Sequence, residues 1–503
     1  MLKRLFRTKS LDLLVAETQG EGHELKKVLG PLNLIMLGIG AIVGTGIFAT
    51  IGSATAGDAN RPGAGPALMV SFVLTAIVCG FTALCYAEFA SMAPVAGSAY
   101  TYAYATLGEV VAWIIGWDLL LEYAIGNTAV AISWANYMVA VLQGIGVHLP
   151  GWLTTDYRTA MKMPDVYAAA PHVFGVPIIF NALALGIVAL ITIVLVWGVK
   201  ESVRFNAVMV VMKLIVLGFF VVVGTKFVKP ENWHPFAPNG FAGIGAGAAI
   251  IFFAYLGFDA VSTCAEECKN PSRDMPIGII GSLLICTVIY IVIGAVFAGL
   301  VPYSVVAKFD SSQRAEALAE AMTYVHMPGW MVGVVAFGSV VAQTAVLLVY
   351  QLGQPRILFA MARDGFLPSF FSKVHPKYRT PHLSTILTGV LVGVVSAFAN
   401  IDEMVDLTNI GTLFAFVLVC VGISILRFKD PDRVRPFKVP FGPILLPGLG
   451  ALSCLWLAAY LPSTSWWRFL LWLAVGLVIY FFYGFSNSRL HRSSTASAPP
   501  RAA

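Results

Sequence analysis

The sequence carries little charge. Of its 503 residues, only 12% are Asp, Glu, Lys or Arg, while 58% are hydrophobic. A water-soluble core cannot bury so large an apolar fraction, because the surface of such a chain would stay largely apolar. A soluble globular protein is therefore excluded, and the lipid bilayer is expected to be part of the solvent.

Cysteine and histidine are also scarce. The 7 cysteines lie in or beside apolar segments and predict no disulfide framework. Cys264 and Cys268 are one helical turn apart, but no second Cys or His pair accompanies them, so no metal site is expected. The 8 histidines fall in connections or tails, and no phosphate-binding loop is present. Nothing in the sequence favours an enzyme or a cofactor.

Long apolar runs recur along the chain and predict twelve transmembrane helices in an all-α integral membrane protein. We expect a transporter domain over residues 31–486, a cytoplasmic N-terminal segment over 1–30 and a disordered cytoplasmic tail over 487–503. The predicted spans are 32–56, 66–90, 109–142, 178–198, 205–225, 241–266, 277–301, 329–355, 383–399, 404–426, 443–461 and 467–485.

Basic residues are distributed unequally between alternate connections. With the N-terminus inside, the cytoplasmic segments hold 23 Lys and Arg and the external segments hold 8. Because basic residues are retained on the cytoplasmic side, both termini are predicted to lie in the cytoplasm of a multi-pass protein of the cell (inner or plasma) membrane. This asymmetry also explains the net charge of +6 without a nucleic-acid partner.

Four glycines interrupt the first span, at positions 38, 40, 44 and 46. Glycine destabilises a helix by about 1 kcal/mol per residue, so a simple span gains nothing from this cluster. One interpretation is local unwinding, which frees N–H groups for a substrate carboxylate. The other is close helix packing through small residues such as Gly40 and Gly44.

The sixth span carries a second interruption around Gly257 and Asp259. Interrupted helices five spans apart suggest an inverted repeat and point to a central binding site. Asp259 lies deep in its span, where an ionisable residue usually faces a cavity or a partner. It could cap the broken helix, bind a substrate ammonium or accept a neighbouring hydroxyl. Phe253 is predicted to gate the site.

Two further spans contain buried ionisable residues. Lys213 is the only basic residue near the middle of a span, too deep to reach the interface, and could take up and release a proton during transport. The alternative is a permanent ion pair with a buried acid. Asp118 and Glu122 share one face of the third span and could supply that acid or attract a cationic substrate, with Asp118 alternatively solvated near the inner interface.

Many ordered motifs make the chain resemble the amino acid–polyamine–organocation superfamily, and within it the cationic amino acid transporter branch. The resemblance covers nearly the whole chain. Its motifs lie at Leu5–Ser10, Gly38–Phe48, Ala64–Ala67, Tyr86–Phe89, Pro94–Tyr100, Phe253–Asp259, Glu266–Pro271, Gly353–Arg356, Met361–Gly365, Asn409–Leu413 and Arg435–Pro440.

The resemblance implies the leucine-transporter-like fold, with two inverted five-helix repeats, broken helices 1 and 6, and two additional C-terminal helices. It implies that the backbone of Val43–Ile47 receives the substrate carboxylate, that carbonyls near Ala254 and Tyr255 receive the α-amino group, and that Phe253 is the external gate. Lys213 matches the family's helix-5 lysine, which makes proton coupling the expected energy source. The expected substrate-binding residues are Val43, Gly44, Thr45, Gly46, Ile47, Phe253, Ala254, Tyr255, Gly257, Asp259, Glu122, Gln343 and Thr344.

The leading hypothesis is a secondary active, proton-coupled symporter that imports cationic or small neutral amino acids by alternating access. An amino acid or amine exchanger of the same superfamily is the alternative within transport, and a membrane amino acid sensor is the alternative outside it. The expected partners are the amino acid, protons and the lipid bilayer, with a small single-helix membrane subunit as a further candidate.

Overall fold

A computed structural model describes residues 5–9, 11, 27–58, 61–92, 98–197, 203–378 and 380–489. This part of the chain is almost entirely helical. Its only strands form one short antiparallel hairpin, in which His172–Val173 (β1) pairs with Val176–Pro177 (β2). The predicted tail beyond residue 489, most of the N-terminal segment and the motif residues 94–97 lie outside the described residues.

The helices of the first half begin with the two parts of the interrupted first span. They are α1 (Pro31–Ile42), α2 (Ile51–Ala56), α3 (Leu68–Met92), α4 (Ser98–Thr106), α5 (Glu109–Gly144), α6 (Tyr157–Ala160), α7 (Pro164–Ala169), α8 (Ala182–Trp197) and α9 (Val203–Gly224).

The second half begins with the other interrupted span. Its helices are α10 (Gly240–Tyr255), α11 (Pro271–Leu300), α12 (Tyr303–Val306), α13 (Ser311–Ala315), α14 (Ala317–Tyr324), α15 (Gly329–Arg363), α16 (His382–Phe398), α17 (Ile401–Lys429), α18 (Leu445–Ala458), α19 (Ser463–Ile479) and α20 (Phe485–Asn487).

Each of the twelve predicted apolar runs coincides with a helix in this structure. Within the described residues, nine helical segments are long and apolar enough to cross a bilayer. The other three, α8, α16 and α18, have 16, 17 and 14 residues. At 1.5 Å per residue they are shorter than a hydrocarbon core of about 30 Å, so a count of twelve spans stays a prediction.

The core forms where the longest helices cross the interrupted ones. Helix α1 packs between α9 and α11, and α10 packs on α3 and on the turn between α1 and α2. On the other side, α5 packs along α15 and α17. The two interruptions therefore lie in the centre of the bundle, buried on every side by apolar helices.

The chain has two polar faces. On the terminal face, which contains residues 5–9 and 484–489, the Lys9 amide donates to the Tyr104 carbonyl at 3.1 Å and the Arg489 amide donates to the Asp364 carbonyl at 3.0 Å. Ser488, in the predicted tail, is fully buried there. On the far face, which contains residues 57–58, 61–64, 145–181, 225–239 and 301–328, Arg314 donates to the Gly57 carbonyl at 2.7 Å.

Candidate functional site

The first span breaks within the predicted glycine cluster. Helix α1 ends at Ile42, Val43 is extended with φ −75° and ψ 94°, and a π-helical turn runs over Gly46–Thr50 before α2. Because Val43 leaves the helical conformation, the N–H groups at the start of the new turn have no carbonyl of a preceding turn to bond. This is the local geometry that suits an anionic ligand.

The sixth span breaks at the same depth. Helix α10 ends at Tyr255, Leu256 is extended, and Gly257 has φ +111° before a 3₁₀ helix starts at Asp259. A side chain at Gly257 would be strained by this positive φ and would also lie 2.8 Å from the Ala41 backbone. Glycine is therefore required here both by conformation and by space.

The two breaks cross in contact. A Cβ atom on Gly46 would lie 2.1 Å from the Cα of Ala254, and one on Gly44 would lie 2.6 Å from Val346. The two interpretations of the glycine cluster therefore hold together: the helix is interrupted, and its glycines also allow close packing. The packing brings the predicted carboxylate-binding turn beside the predicted amine-binding carbonyls.

Tyr290 of α11 ties the two breaks together, and sequence reasoning missed it. Its hydroxyl lies 2.9 Å from the carbonyl of Ile42, the last residue of α1, and 3.0 Å from the carbonyl of Ala254, the next-to-last residue of α10. The ring is fully buried against Phe72 and Tyr255. The only sequence signal was a tyrosine in the middle of a largely apolar span.

Lys213 of α9 lies directly behind the first break. It is 1% exposed, and its Nζ donates to the Gly40 carbonyl oxygen at 2.8 Å. No ion pair within the described part of the chain involves Lys213, so the alternative of a permanent partner such as Asp118 or Glu122 is wrong there. The physical reason is position: α9 contacts α1, whereas both acids are on α5, which packs against α15 and α17.

Glu122 and Asp259 share one pocket beside the breaks, with Ala41, Tyr123 and Tyr350 in its wall. The Asp259 carboxylate accepts the Gly257 amide at 3.3 Å, within the break that precedes the second half-helix. The Ser262 hydroxyl bonds to the Asp259 backbone rather than to its carboxylate. Two carboxylates on one pocket wall can attract a cationic group.

Asp118 is fully buried, one turn from Glu122 on α5. Its carboxylate packs against Gly411 of α17, and neither oxygen has a hydrogen-bond partner among the described residues. The alternative that Asp118 is solvated near an interface is therefore wrong. A carboxylate in this environment is expected to hold a proton or meet a ligand.

Helix α15 contributes two predicted residues on different faces. Gln343 is fully buried and accepts the Thr45 hydroxyl at 3.3 Å, while its Nε2 has no partner within the described chain. Thr344 instead faces α5, where it accepts the Trp134 indole N–H at 2.9 Å and donates to the Val340 carbonyl. Gln343 therefore joins the site, and the hydroxyl of Thr344 is engaged in helix packing.

The other predicted residues are close-packed around the breaks. Val43 and Ile47 are fully buried, and Phe253 is 5% exposed two residues before α10 ends. The Thr50 hydroxyl donates a hydrogen bond to the Gly46 carbonyl at 2.5 Å. The polar groups around the breaks thus come from the backbone, Gln343, Glu122 and Asp259, in an otherwise apolar environment.

Comparisons with known proteins cover nearly the whole chain. A model of the amino acid permease family matches residues 29–485. The branched-chain amino acid permease BcaP of Bacillus subtilis is 45% identical over 488 residues, which cover 97% of this chain and 99% of the relative. The methylthioribose transporter of the same organism is 42% identical over 491 residues, covering 98% and 100%. A vacuolar cationic amino acid transporter 4 of Arabidopsis thaliana is 36% identical over 439 residues, covering 86% and 68%.

Proposed function

This chain belongs to the amino acid permease family of the amino acid–polyamine–organocation superfamily and is a multi-pass membrane transporter of amino acids, not an enzyme, and on that premise we propose that it is a proton-coupled symporter. Substrate binds where the two helix breaks cross. Transport follows from alternating access of that site to the two faces of the membrane.

The crossing of Gly46 and Ala254 is the observation that carries this proposal. It places N–H groups from one half-helix beside carbonyl groups that end another, so one small zwitterion can bind both. Val43–Ile47 receive the carboxylate, and the carbonyls near Ala254 and Tyr255 receive the α-amino group. Phe253 closes the site toward the far face.

Lys213 is the proposed proton carrier. A protonated ammonium stabilises the Gly40 carbonyl by a charge-assisted bond, whereas a neutral amine does so less strongly. Protonation of Lys213 therefore changes the stability of α1 close to its break. A proton bound from one side and released to the other would couple the proton gradient to the conformation of the substrate site.

The proposed topology has twelve spans, two inverted five-helix repeats and two C-terminal helices, with the terminal face in the cytoplasm. The equivalent breaks five spans apart and the excess of Lys and Arg in the terminal-face segments support this arrangement.

On the far face, an ion pair joins elements that would separate when the site opens outward. Arg61 contacts the Asp406 carboxylate of α17 through two nitrogens, at 2.8 and 2.9 Å, and also contacts Asp58. These buried contacts span the connection after α2 and the start of α17. They support an arrangement that is closed on the far face.

Two features bear on the substrate side chain. Glu122 and Asp259 favour a cationic side chain, while Val346 and Val349 in the same pocket wall favour an apolar one. The relatives are named as transporters of branched-chain amino acids, of cationic amino acids and of methylthioribose. Arginine, lysine, alanine, leucine and methylthioribose therefore form the test panel.

Uptake into proteoliposomes tests the proposal. We expect an inward proton gradient to drive accumulation of at least one amino acid of the panel, and a protonophore to abolish it. Accumulation that is independent of the proton gradient contradicts the proposed proton coupling. Uptake that occurs only with internal amino acid identifies an exchanger instead, and binding without flux identifies a sensor.

A further inference from the structure

A second polar pocket lies on the far face, away from the helix breaks. It is formed where the end of α5, the connection over residues 151–166 and α13 meet, and it has about 400 Å³ of space including its mouth. Its polar lining consists of Asn136, Thr154, Thr155, Ser312 and Glu316. A neighbouring pocket shares the first four of these residues and continues toward Asn400.

Glu316 is the exceptional group in this pocket. Its Oε2 atom is inaccessible to solvent and has no hydrogen-bond partner within the described residues. Other acids of the far face are satisfied: Asp156 accepts two backbone amides, Asp310 accepts the Gln313 amide, and Asp406 binds Arg61. A buried carboxylate oxygen without a donor is costly, so this pocket is built to receive a donor from outside.

The charges around Glu316 indicate which donor fits. Asp310 and Glu320 lie near it on its own connection, and the hydroxyl of Tyr137 faces it from α5. The lining residues of the 151–166 connection carry no titratable group. Arg314 is directed elsewhere, since it donates to the carbonyls of Gly57 and Phe309. The pocket thus combines a carboxyl group and hydroxyl acceptors without a lining Lys or Arg among the described residues.

We propose that this pocket is an outer binding site for the ammonium group of an amino acid, occupied before the substrate reaches the helix breaks. The inference rests on the proposed transport function and on an external far face. The carboxylate of Glu316 and two of the hydroxyls of Thr154, Thr155 and Ser312 accept the three ammonium protons, and Val139 and Val166 contact the aliphatic part.

The pocket is in contact with the break itself. Tyr137, which follows Asn136 on α5, donates to the Phe48 carbonyl of the π-helical turn at 2.9 Å. On the opposite wall, Gly52 of α2 lies so close to Arg314 that a Cβ there would be 2.6 Å from the Arg314 carbonyl oxygen. Elements that line the outer pocket therefore also contact both sides of the turn that receives the carboxylate.

Occupancy of this pocket is expected to depend on pH. Burial, followed by the charges of Glu320 and Asp310, raises the pKa of Glu316 to about 8. An ammonium would bind the ionised carboxylate and release its proton. Binding to the outer site should therefore tighten about twenty-fold from pH 6.5 to pH 8.5.

Equilibrium binding to the full-length chain in detergent tests this site. The probes are radiolabelled arginine and leucine at pH 6.5 and 8.5, with wild type, Glu316→Gln and Glu231→Gln. Glu231 is an exposed acid of the same face that does not line the pocket. We expect two bound amino acids per wild-type chain at pH 8.5, one for Glu316→Gln, and two for Glu231→Gln.

The remaining site in Glu316→Gln shows that the variant is folded. If that variant binds nothing, Ser312→Lys places a competing ammonium in the same pocket and should likewise remove one equivalent. The inference is overturned if wild type binds a single amino acid per chain at both pH values. It is also overturned if a second amino acid binds but is displaced by sodium chloride and not by potassium chloride. Absence of any amino acid flux in wild type contradicts the proposed function instead.

Discussion

The ammonium of Lys213 donates a hydrogen bond of 2.8 Å to the carbonyl of Gly40, one turn before the first helix breaks. We expect Lys213→Ala to reduce gradient-driven uptake to background while substrate binding weakens by less than about ten-fold, because the bond stabilises α1 and does not contact substrate. Lys226→Ala, which changes an exposed lysine just after α9, is the control. Gradient-driven accumulation by Lys213→Ala contradicts the proposed role.

Gly46 cannot carry a side chain without moving α10. A Cβ would lie 2.1 Å from the Cα of Ala254, so Gly46→Ala should separate the two breaks and abolish transport, at a cost of about 1–3 kcal/mol in stability. Gly218→Ala in α9 meets open space and should be neutral or stabilising. Uptake and thermal unfolding of both variants check this, and normal uptake by Gly46→Ala would refute it.

Tyr290→Phe keeps the ring and removes the hydroxyl that joins the Ile42 and Ala254 carbonyls. Leaving buried carbonyls without this donor costs about 1–3 kcal/mol, and we expect substrate affinity to fall several-fold because the breaks lose their common anchor. Tyr324→Phe, at an exposed position, is the control. The prediction fails if affinity is the same in the two variants.

Glu88 neutralises two arginines at the terminal face, and so connects two sequence motifs that are far apart in the chain. It binds Arg427 and Arg435 and accepts the Val439 amide at 2.7 Å. Glu88→Gln leaves buried guanidinium groups uncompensated, which should cost about 3–5 kcal/mol.

The half-buried acid Glu403 provides the comparison, because it pairs with Arg158 and Arg468 near the surface. Glu403→Gln should cost no more than about 1 kcal/mol. Thermal unfolding in detergent measures both variants. Equal stability losses would show that the Glu88 cluster contributes no more than a surface ion pair.

The stability of the protein should fall as pH rises toward the pKa of Glu316. Burial and the neighbouring Glu320 and Asp310 raise the pKa of this carboxyl to about 8, above its ordinary value of 4.5. Between these values the folded state holds a proton that the unfolded state has released, so the free energy of unfolding decreases with increasing pH. Above pH 8 the whole contribution is lost.

Thermal unfolding between pH 5 and pH 9 checks this dependence. Glu316→Gln should flatten the decrease, since its side chain does not titrate. Asp165→Asn, at an exposed position of the same face, should leave the curve unchanged. An identical pH dependence in wild type and Glu316→Gln would contradict the assignment.

Much of the fold followed from the sequence because lipid leaves the backbone few options. An apolar run in a bilayer must satisfy its N–H and C=O groups internally, so each of the twelve predicted runs is helical here. The glycine clusters also located both helix breaks, because Gly257 needs its positive φ and Gly46 its closeness to Ala254.

The partners of the buried polar groups could not be obtained in the same way. Spacing left a pairing of Lys213 with an acid of α5 open, but helix packing placed it against Gly40. Asp118 proved to be fully buried rather than solvated, and Thr344 proved to face Trp134. Periodicity specifies which residues share a face of one helix but not which helix covers that face.

The sequence by itself therefore determined an all-helical membrane protein with two interrupted helices and a few ionisable residues buried in apolar spans. Only the tertiary structure decided that Tyr290 joins the breaks, that Glu88 meets two arginines and that Glu316 lines a second pocket. Helix formation in lipid is local, so it depends on consecutive residues of the sequence. Contacts between distant residues depend instead on how all the helices pack together.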